Sequence, residues 1–470
     1  MLGLFNTLNL GARSMIAEEL GVEVTGQNLA NANNAAYTRQ TVQLQTSTPT
    51  PSNLGLEDTG VEVASIQQVS DQLLNSQIQS EASVGGYWNS QQTALENAQT
   101  QLDEFLNLSS SSTSNSTTTP TDLSDQLNSL FNAFQSVATS PTDSTARQSL
   151  INTAQTLASS FNQASQNLST LNSQLNTSVG GDVTSANQLL SDIASLNGQI
   201  AKATASGGTA NDLVDSREAD LENLAKLVNT QTTTNSDGTI SVSIGGQELV
   251  SGSKLSDSLA TYADANGNLL VQTATSATPL TLTGGSIQGT IDARDGALAT
   301  LRGGLDTMAS TLITQVNGIY QNGYDLNGNS GAEFFTGSDA GDIGVNSALL
   351  TDPSQVQAAG TNATGDNSVA LSLAQLGSQS LTALNNQTFS GACSLDVENF
   401  GDALSNANDQ VTNYNSVNTM LLNQRDSVSG VSLEEEMANL ITYQKAYETS
   451  AQIITTVNEM LTTVVNMKSS

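Results

Sequence analysis

The sequence predicts a mainly α chain with a β-rich insertion, nested as several domains. Paired N- and C-terminal helices form a coiled coil, a helical-bundle domain lies inside them, and a β domain is inserted inside that. Three observations predict it. The segment from Val431 to Ser470 carries an apolar stripe at helical spacing, with no Gly or Pro to stop a helix. Helical stripes run through residues 70–228 and return after 290. Between them, residues 235–289 alternate around turn dipeptides, the period of half-buried strands.

Residues 1–48 are expected as the N-terminal part of the terminal coiled coil. Leu4, Leu8, Ala12, Met15, Ile16 and Leu20 share one helical face. Gly11 and Gly21 weaken this helix by about 1 kcal/mol each relative to Ala. The Asn-rich run from Asn28 to Asn34 ends it, because Asn side chains compete for backbone groups and favour caps and turns. Residues 38–48 alternate as a strand closed by Pro49 and Pro51, and residues 61–66 form another.

Residues 49–234 are expected as the first part of the helical domain. Leu73, Leu74, Ile78, Trp88, Leu95, Leu102 and Phe105 mark one helix, which Gly85-Gly86 is expected to bend or split. The stretch from Ser109 to Thr121 is low in complexity and reads as a linker or surface loop. Stripes at Leu123–Phe134, Leu150–Leu175 and Leu189–Ile200 predict helix in several pieces. Their polar faces are Asn, Gln, Ser and Thr, so packing must supply most of the helical stability.

The β-rich domain is expected at 235–289, where Asp237-Gly238 and Asn266-Gly267 mark hairpins. Residues 290–427 form the second, helical and mixed part of the inner domain. Its helix runs through Leu298, Leu305, Leu312 and Ile319, and helix resumes near Phe400.

Residues 428–470 are expected as the C-terminal helix. Ser432 with Glu435 forms a capping box at its start. Leu440, Tyr443, Tyr447, Ser450, Ile454, Val457, Leu461 and Val464 alternate steps of three and four, an a/d seam. A helix of about 38 residues is on the order of 57 Å long. Met437, Ile441, Ala451 and Val465 flank the seam and widen it beyond what one partner covers. The widened stripe points to assembly with neighbouring subunits. In the free monomer, segments 1–45 and 428–470 are expected to be mobile, since their stripes lack that assembly.

Composition narrows the function. The chain has 44 acids against 12 bases and a net charge of −32, with the bases scattered singly. That excludes nucleic acid and anionic membrane as ligands, because both require clustered Lys and Arg. There is no His, and Cys393 stands alone, so it reads as a small buried hydrophobe and not a nucleophile. The N-terminus lacks the basic and long apolar regions of a cleaved secretory signal. Asp325-Leu326-Asn327-Gly328-Asn329 resembles the start of a Ca²⁺ loop, but Ser330 and Thr336 stand where Gly and Glu are needed, so a tight turn is expected. Gly284-Gly285-Ser286-Ile287-Gln288-Gly289 lacks a phosphate-binding lysine and reads as a turn. No catalytic, cofactor or metal residues are nominated, and no enzyme is expected.

Gln27-Asn28-Leu29-Ala30-Asn31-Ala32-Asn33, followed by Tyr37-Thr38-Arg39-Gln40, resembles the N-terminal motif of bacterial flagellar axial proteins. The Tyr-Thr-Arg-Gln ending is similar to that of the hook-associated protein 1 family, with Ala36 where the family usually has Gly. Val316–Tyr320, Gly323–Gly328 and Phe334-Phe335 resemble the family's central loop, and Gly365-Asp366-Asn367 before a short helix is similar to the family as well. Leu433 to Ala451 resembles its C-terminal helix. The resemblance implies a structural subunit of the flagellum at the junction between hook and filament. It implies export without a cleaved signal by the flagellar type III system, and terminal helices lining an inner tube. Implied partners are the hook protein, a second hook–filament junction protein, a cytosolic export chaperone at the C-terminal helix, and further copies forming a ring or layer. The assembly interface is expected at Leu8, Met15, Ile16, Leu20, Leu440, Tyr443, Tyr447, Ile454, Val457, Leu461 and Val464. Another axial position, as a rod, hook or filament subunit, is the alternative.

Overall fold

The terminal stripes pair with each other across nearly the whole length of the chain. In the computed structural model, which describes residues 2–34, 36–52, 55–57, 60–108, 122–363 and 365–468, helix α1 spans Leu2–Ala30. Four short strands follow: β1 (Gln40–Thr46), β2 (Thr50–Ser52), β3 (Gly55–Glu57) and β4 (Val61–Gln68). β1 pairs antiparallel with β4 through a bulge at Gln43/Leu44, and β2 pairs with β3. The linker expected at 109–121 lies outside the described residues.

Helix α2 (Gln72–Leu106) starts where Asp71 accepts from the Leu73 and Leu74 N–H groups. It is not split at Gly85-Gly86. The two glycines instead let other segments approach: Gly85 faces the Tyr414 ring and Gly86 the carbonyl of Lys226. Helix α3 (Leu123–Thr139) is capped by Asp122 and α4 (Ser144–Ala205) by Asp143. The several pieces expected here are thus fewer. One helix of 62 residues, about 93 Å long, runs unbroken through Gly180-Gly181. Its apolar period holds across the glycines, with Leu171, Leu175, Val179, Val183 and Ala186 all buried. Its exposed Thr side chains bond back to the carbonyl four residues earlier, as Thr153, Thr156 and Thr170 do.

Helix α5 (Asn211–Leu227) leads into strands β5 (Thr230–Thr234), β6 (Ile240–Ile244), β7 (Gln247–Ser251) and β8 (Lys254–Leu255), an antiparallel sheet in that order. β9 (Leu259–Ala263) and β10 (Leu269–Thr273) form a hairpin whose turn carries Gly267 at φ +80°. Helix α6 (Gly285–Ala293) passes through a π-turn, Arg294–Leu298, into α7 (Ala299–Tyr320). Strands β11 (Phe335–Thr336) and β12 (Gly344–Val345), short α8 (Ser347–Thr351) and α9 (Ser368–Leu376) precede α10 (Phe389–Ser429) and α11 (Leu433–Lys468). Helix α10 begins earlier than the Phe400 expected, with Thr388 as its cap.

Two cores result. One joins α2, α3, the first half of α4, α7, α9 and the start of α10. The second packs the far half of α4 and α5 against the strands, through Val242, Ile244, Val250 and Val271. Helix α4 belongs to both, so it is the beam that joins the β-rich part to the bundle. Among the described residues no helix is long and apolar enough to cross a membrane.

Candidate functional site

Two features are candidates: the seam of the terminal helices and a polar clasp at its root. In the seam α1 and α11 run antiparallel. Gly11 lies against Ile454, Ser14 against Ser450, Gly21 against Tyr443, and Asn28 against Glu436. These pairs keep one register. A Cβ on Gly21 would lie 2.7 Å from Tyr443 Cδ1, and one on Gly11 2.9 Å from Ile454 Cγ1. The glycines that weaken α1 as an isolated helix are therefore the holes into which the large residues of α11 fit. Ser450, the polar member of the stripe, is buried and donates to Ser14 Oγ at 3.1 Å.

The expected assembly residues divide by this register. Val457 is buried, and Leu8, Met15, Leu20, Leu440, Tyr443, Tyr447, Ile454 and Leu461 are half-buried. Ile16 is 63% exposed and Val464 41% exposed, outside the seam. Val464 lies there because the register carries α11 past the start of α1. Phe5, Met437, Ile441, Met460, Val465 and Met467 are exposed as well. The helix pair thus keeps a broad apolar exterior after its own seam is filled, which a free monomer has little reason to carry.

The clasp is built by the motif residues. Asn28 is buried at the end of α1, and all its capacity is directed. Its Nδ2 donates to Gln40 O at 2.9 Å and Glu436 Oε2 at 3.1 Å. Its Oδ1 accepts from Gln40 N–H at 3.0 Å and Tyr37 Oη at 2.8 Å. No other side chain of this size offers two donors and an acceptor in one plane. Asn31 is more local and donates to Gln27 O within its own turn. The N–H of Ala36 donates to Asn34 Oδ1.

Arg39 donates from Nε to Glu436 Oε1 at 2.9 Å and from Nη2 to Glu435 Oε1 at 2.8 Å. The capping box is accordingly half-formed. Glu435 N–H reaches Ser432 Oγ at 3.5 Å, while the Glu435 carboxylate is turned to Arg39. On the other side the motif meets α5. Thr38 N–H donates to Asp215 Oδ2 at 3.0 Å, and Gln40 Nε2 to Asp212 Oδ1 at 3.2 Å. Gln68 Nε2 completes Asp215 at 2.7 Å. Burial pushes the Asp215 carboxyl above its usual range, against the lowering bonds from Thr38 and Gln68. Burial also raises Glu218, and it pushes the Tyr37 phenol up to about 12, helped by Asp212, Asp215 and Glu436. Glu222 is met by Arg425 Nη1 at 2.6 Å. Tyr37, Thr38, Asp215, Glu218, Glu222 and Arg425 line an open cleft of about 770 Å³ between the motif, α5 and residues 425–432.

Sequence reasoning named Asn28, Tyr37, Thr38, Arg39 and Gln40 but not Asp212, Asp215, Glu222 or Arg425. Steps of three, three and four along α5 set Asp212, Asp215, Glu218 and Glu222 on one face. That acidic face was the available signal. Elsewhere, Asp325 Oδ1 accepts from the Asn327 and Asn329 N–H groups of its own turn and Oδ2 from Asn329 Nδ2. Its carboxylate serves the turn, as the spacing suggested. Cys393 is buried, and burial pushes its thiol up to about 12, which leaves no thiolate at neutral pH.

The clasp ties an N-terminal motif to a C-terminal helix, and comparison with known proteins matches the C-terminal helix and the helical body. Residues 110–335 match the family model of the flagellar hook-associated protein FlgK helical domain. Residues 423–467 match that of the flagellar basal body rod FlgEFG protein C-terminal. The chain is 26% identical over 521 residues to flagellar hook-associated protein 1 of Bacillus subtilis strain 168, covering 99% of each. It is 23% identical over 557 residues to that of Escherichia coli K12, covering 98% of this chain and 99% of the other. Its fold is similar to that of the flagellar hook junction protein FlgK from Burkholderia pseudomallei, with a TM-score of 0.62 at 18% identity over 75% of this chain and 100% of that one. End-to-end similarity, the helical-domain match and the motif clasp all agree in likening the chain to the flagellar hook-associated proteins 1.

Proposed function

We propose that this chain is a structural subunit of the bacterial flagellum, forming the junction between hook and filament. The observation that carries the reading is the terminal helix pair. Its seam is filled from within, yet Met437, Ile441, Val465 and Met467 remain exposed. Copies packed side by side, as a ring or layer, would bury that surface. In this reading the terminal unit comprises 1–48 and 428–470, the helical body 49–234 and 290–427, and the β-rich outer domain 235–289. Hook protein lies on one side and a second junction protein on the other. An export chaperone covers the C-terminal helix before secretion by the type III route. The role is mechanical, without catalysis.

Deleting the gene tests the reading. The strain should make hooks without filaments and lose flagellin to the medium; normal filaments would refute it. The C-terminal match to rod proteins supports a second reading as another axial subunit. Immunogold labelling at the rod, along the hook or along the filament would favour it.

A further inference from the structure

Arg39 reaches both sides of the break between the two C-terminal helices. Its N–H donates at 3.0 Å to the carbonyl of Ser429, the last residue of α10. Its guanidinium grips Glu435 and Glu436 in the first turn of α11. Its carbonyl accepts from Val69 N–H at 2.8 Å, on the segment that leads into α2. One residue therefore holds the end of one helix, the start of the next and the root of a third.

The connection it spans is short. Gly430, Val431 and Ser432 alone separate α10, of 41 residues, from α11, of 36. Gly430 is extended, with φ −69° and ψ 153°. Such a link leaves two stiff rods free to swing unless something fixes them. For a helix of about 54 Å, a rotation of about 20° at the link moves the far end by roughly 19 Å. The neighbours of Arg39 anchor it to the body, Thr38 on Asp215 and Gln40 on Asp212 and Asn211. Arg425 on Glu222 fixes the end of α10 to the same helix.

We propose that Arg39 is a positioning residue that sets the angle between the terminal helix pair and the helical body by latching the α10–α11 break. Glu436 is 2% exposed at its side chain and Arg39 17%, so the pair is shielded from solvent and geometrically constrained. The planar guanidinium suits the task because it can hold two carboxylates in fixed directions, which a lysine ammonium cannot. The inference deepens the junction reading, since a tube-lining helix must be presented at one angle.

Spin labels on Thr93→Cys in α2 and Thr449→Cys in α11, in full-length protein carrying Cys393→Ala, read that angle as a distance distribution. Because the α1–α11 seam is filled within one chain, the parent should give one narrow distance, in place of the mobility expected of unpaired termini. Arg39→Ala should widen the distribution about twofold, and Arg39→Lys should fall between, with helix content unchanged. Glu435→Gln with Glu436→Gln keeps Arg39 and removes its anionic partners, and should widen it likewise. Distributions as narrow as the parent in both Arg39→Ala and the double glutamine variant overturn the proposal. The measurement uses isolated protein, so it stands apart from the deletion phenotype. Filaments on the deletion strain would sink the junction reading without moving these distances.

Discussion

The ring of Tyr443 occupies the space beside Gly21 where a side chain would be, with Cδ1 2.7 Å from the position of a Cβ. The helix pair is therefore spaced by a glycine, and the aromatic ring is the knob that fills the hole. Gly21→Ala should destabilise the pairing although Ala favours helix by about 1 kcal/mol. Overpacking against a ring costs about 1–3 kcal/mol, and the ring body cannot step aside as a chain end can. Amide exchange over α11 in the monomer should speed up in this variant. Slower exchange would show that the ring relocates freely.

Asn28→Ala should loosen the clasp by about 2 kcal/mol or more, because it leaves Gln40 and Glu436 with buried groups unmatched. Asn28→Asp should be no better, since it faces a second carboxylate toward Glu436 in place of a donor. Exchange protection at Gln40, whose N–H donates to Asn28 Oδ1, measures the loss directly.

The outer apolar residues should separate folding from assembly. Met437→Glu and Ile441→Glu act on side chains 55% and 58% exposed, so monomer stability should change by no more than about 0.5 kcal/mol. The same variants should be secreted yet fail to support filaments. Ile454→Glu strikes the seam at Gly11 and should lose both monomer pairing and filament attachment. A filament-bearing Met437→Glu, Ile441→Glu double variant would show that this face is not an interface.

Asp396 predicts a pH effect. It lines a cavity of about 250 Å³ between α7 and α10 with Leu301 and Phe400, and burial pushes its carboxyl from the ordinary 3.8 up to about 6. In this range the folded state holds a proton that the unfolded state has released. Its contribution to stability therefore falls as pH rises from about 4 to 6 and then levels off as a penalty. Asp396→Asn should raise the unfolding midpoint at pH 7 and flatten its dependence between those values. An unchanged midpoint at pH 7 would show that Asp396 is well solvated.

Local sequence dictates the helical stripes, the Asn266-Gly267 hairpin and the family motif, because periodicity and turn chemistry are local. It also dictates the polar seam member Ser450 and the apolar flanks Met437 and Val465. The role of the glycines emerges only from packing in the folded chain. Gly21 and the Gly85-Gly86 pair read as helix breakers in one dimension, yet each marks close approach of a distant segment, Tyr443 in one case and Tyr414 and Lys226 in the other. A missing Cβ is the same letter in both roles. The partners of Arg39, some four hundred positions away by sequence, likewise follow from the register of α1 on α11. That register is set by knobs meeting holes, a match that exists only once both helices are present.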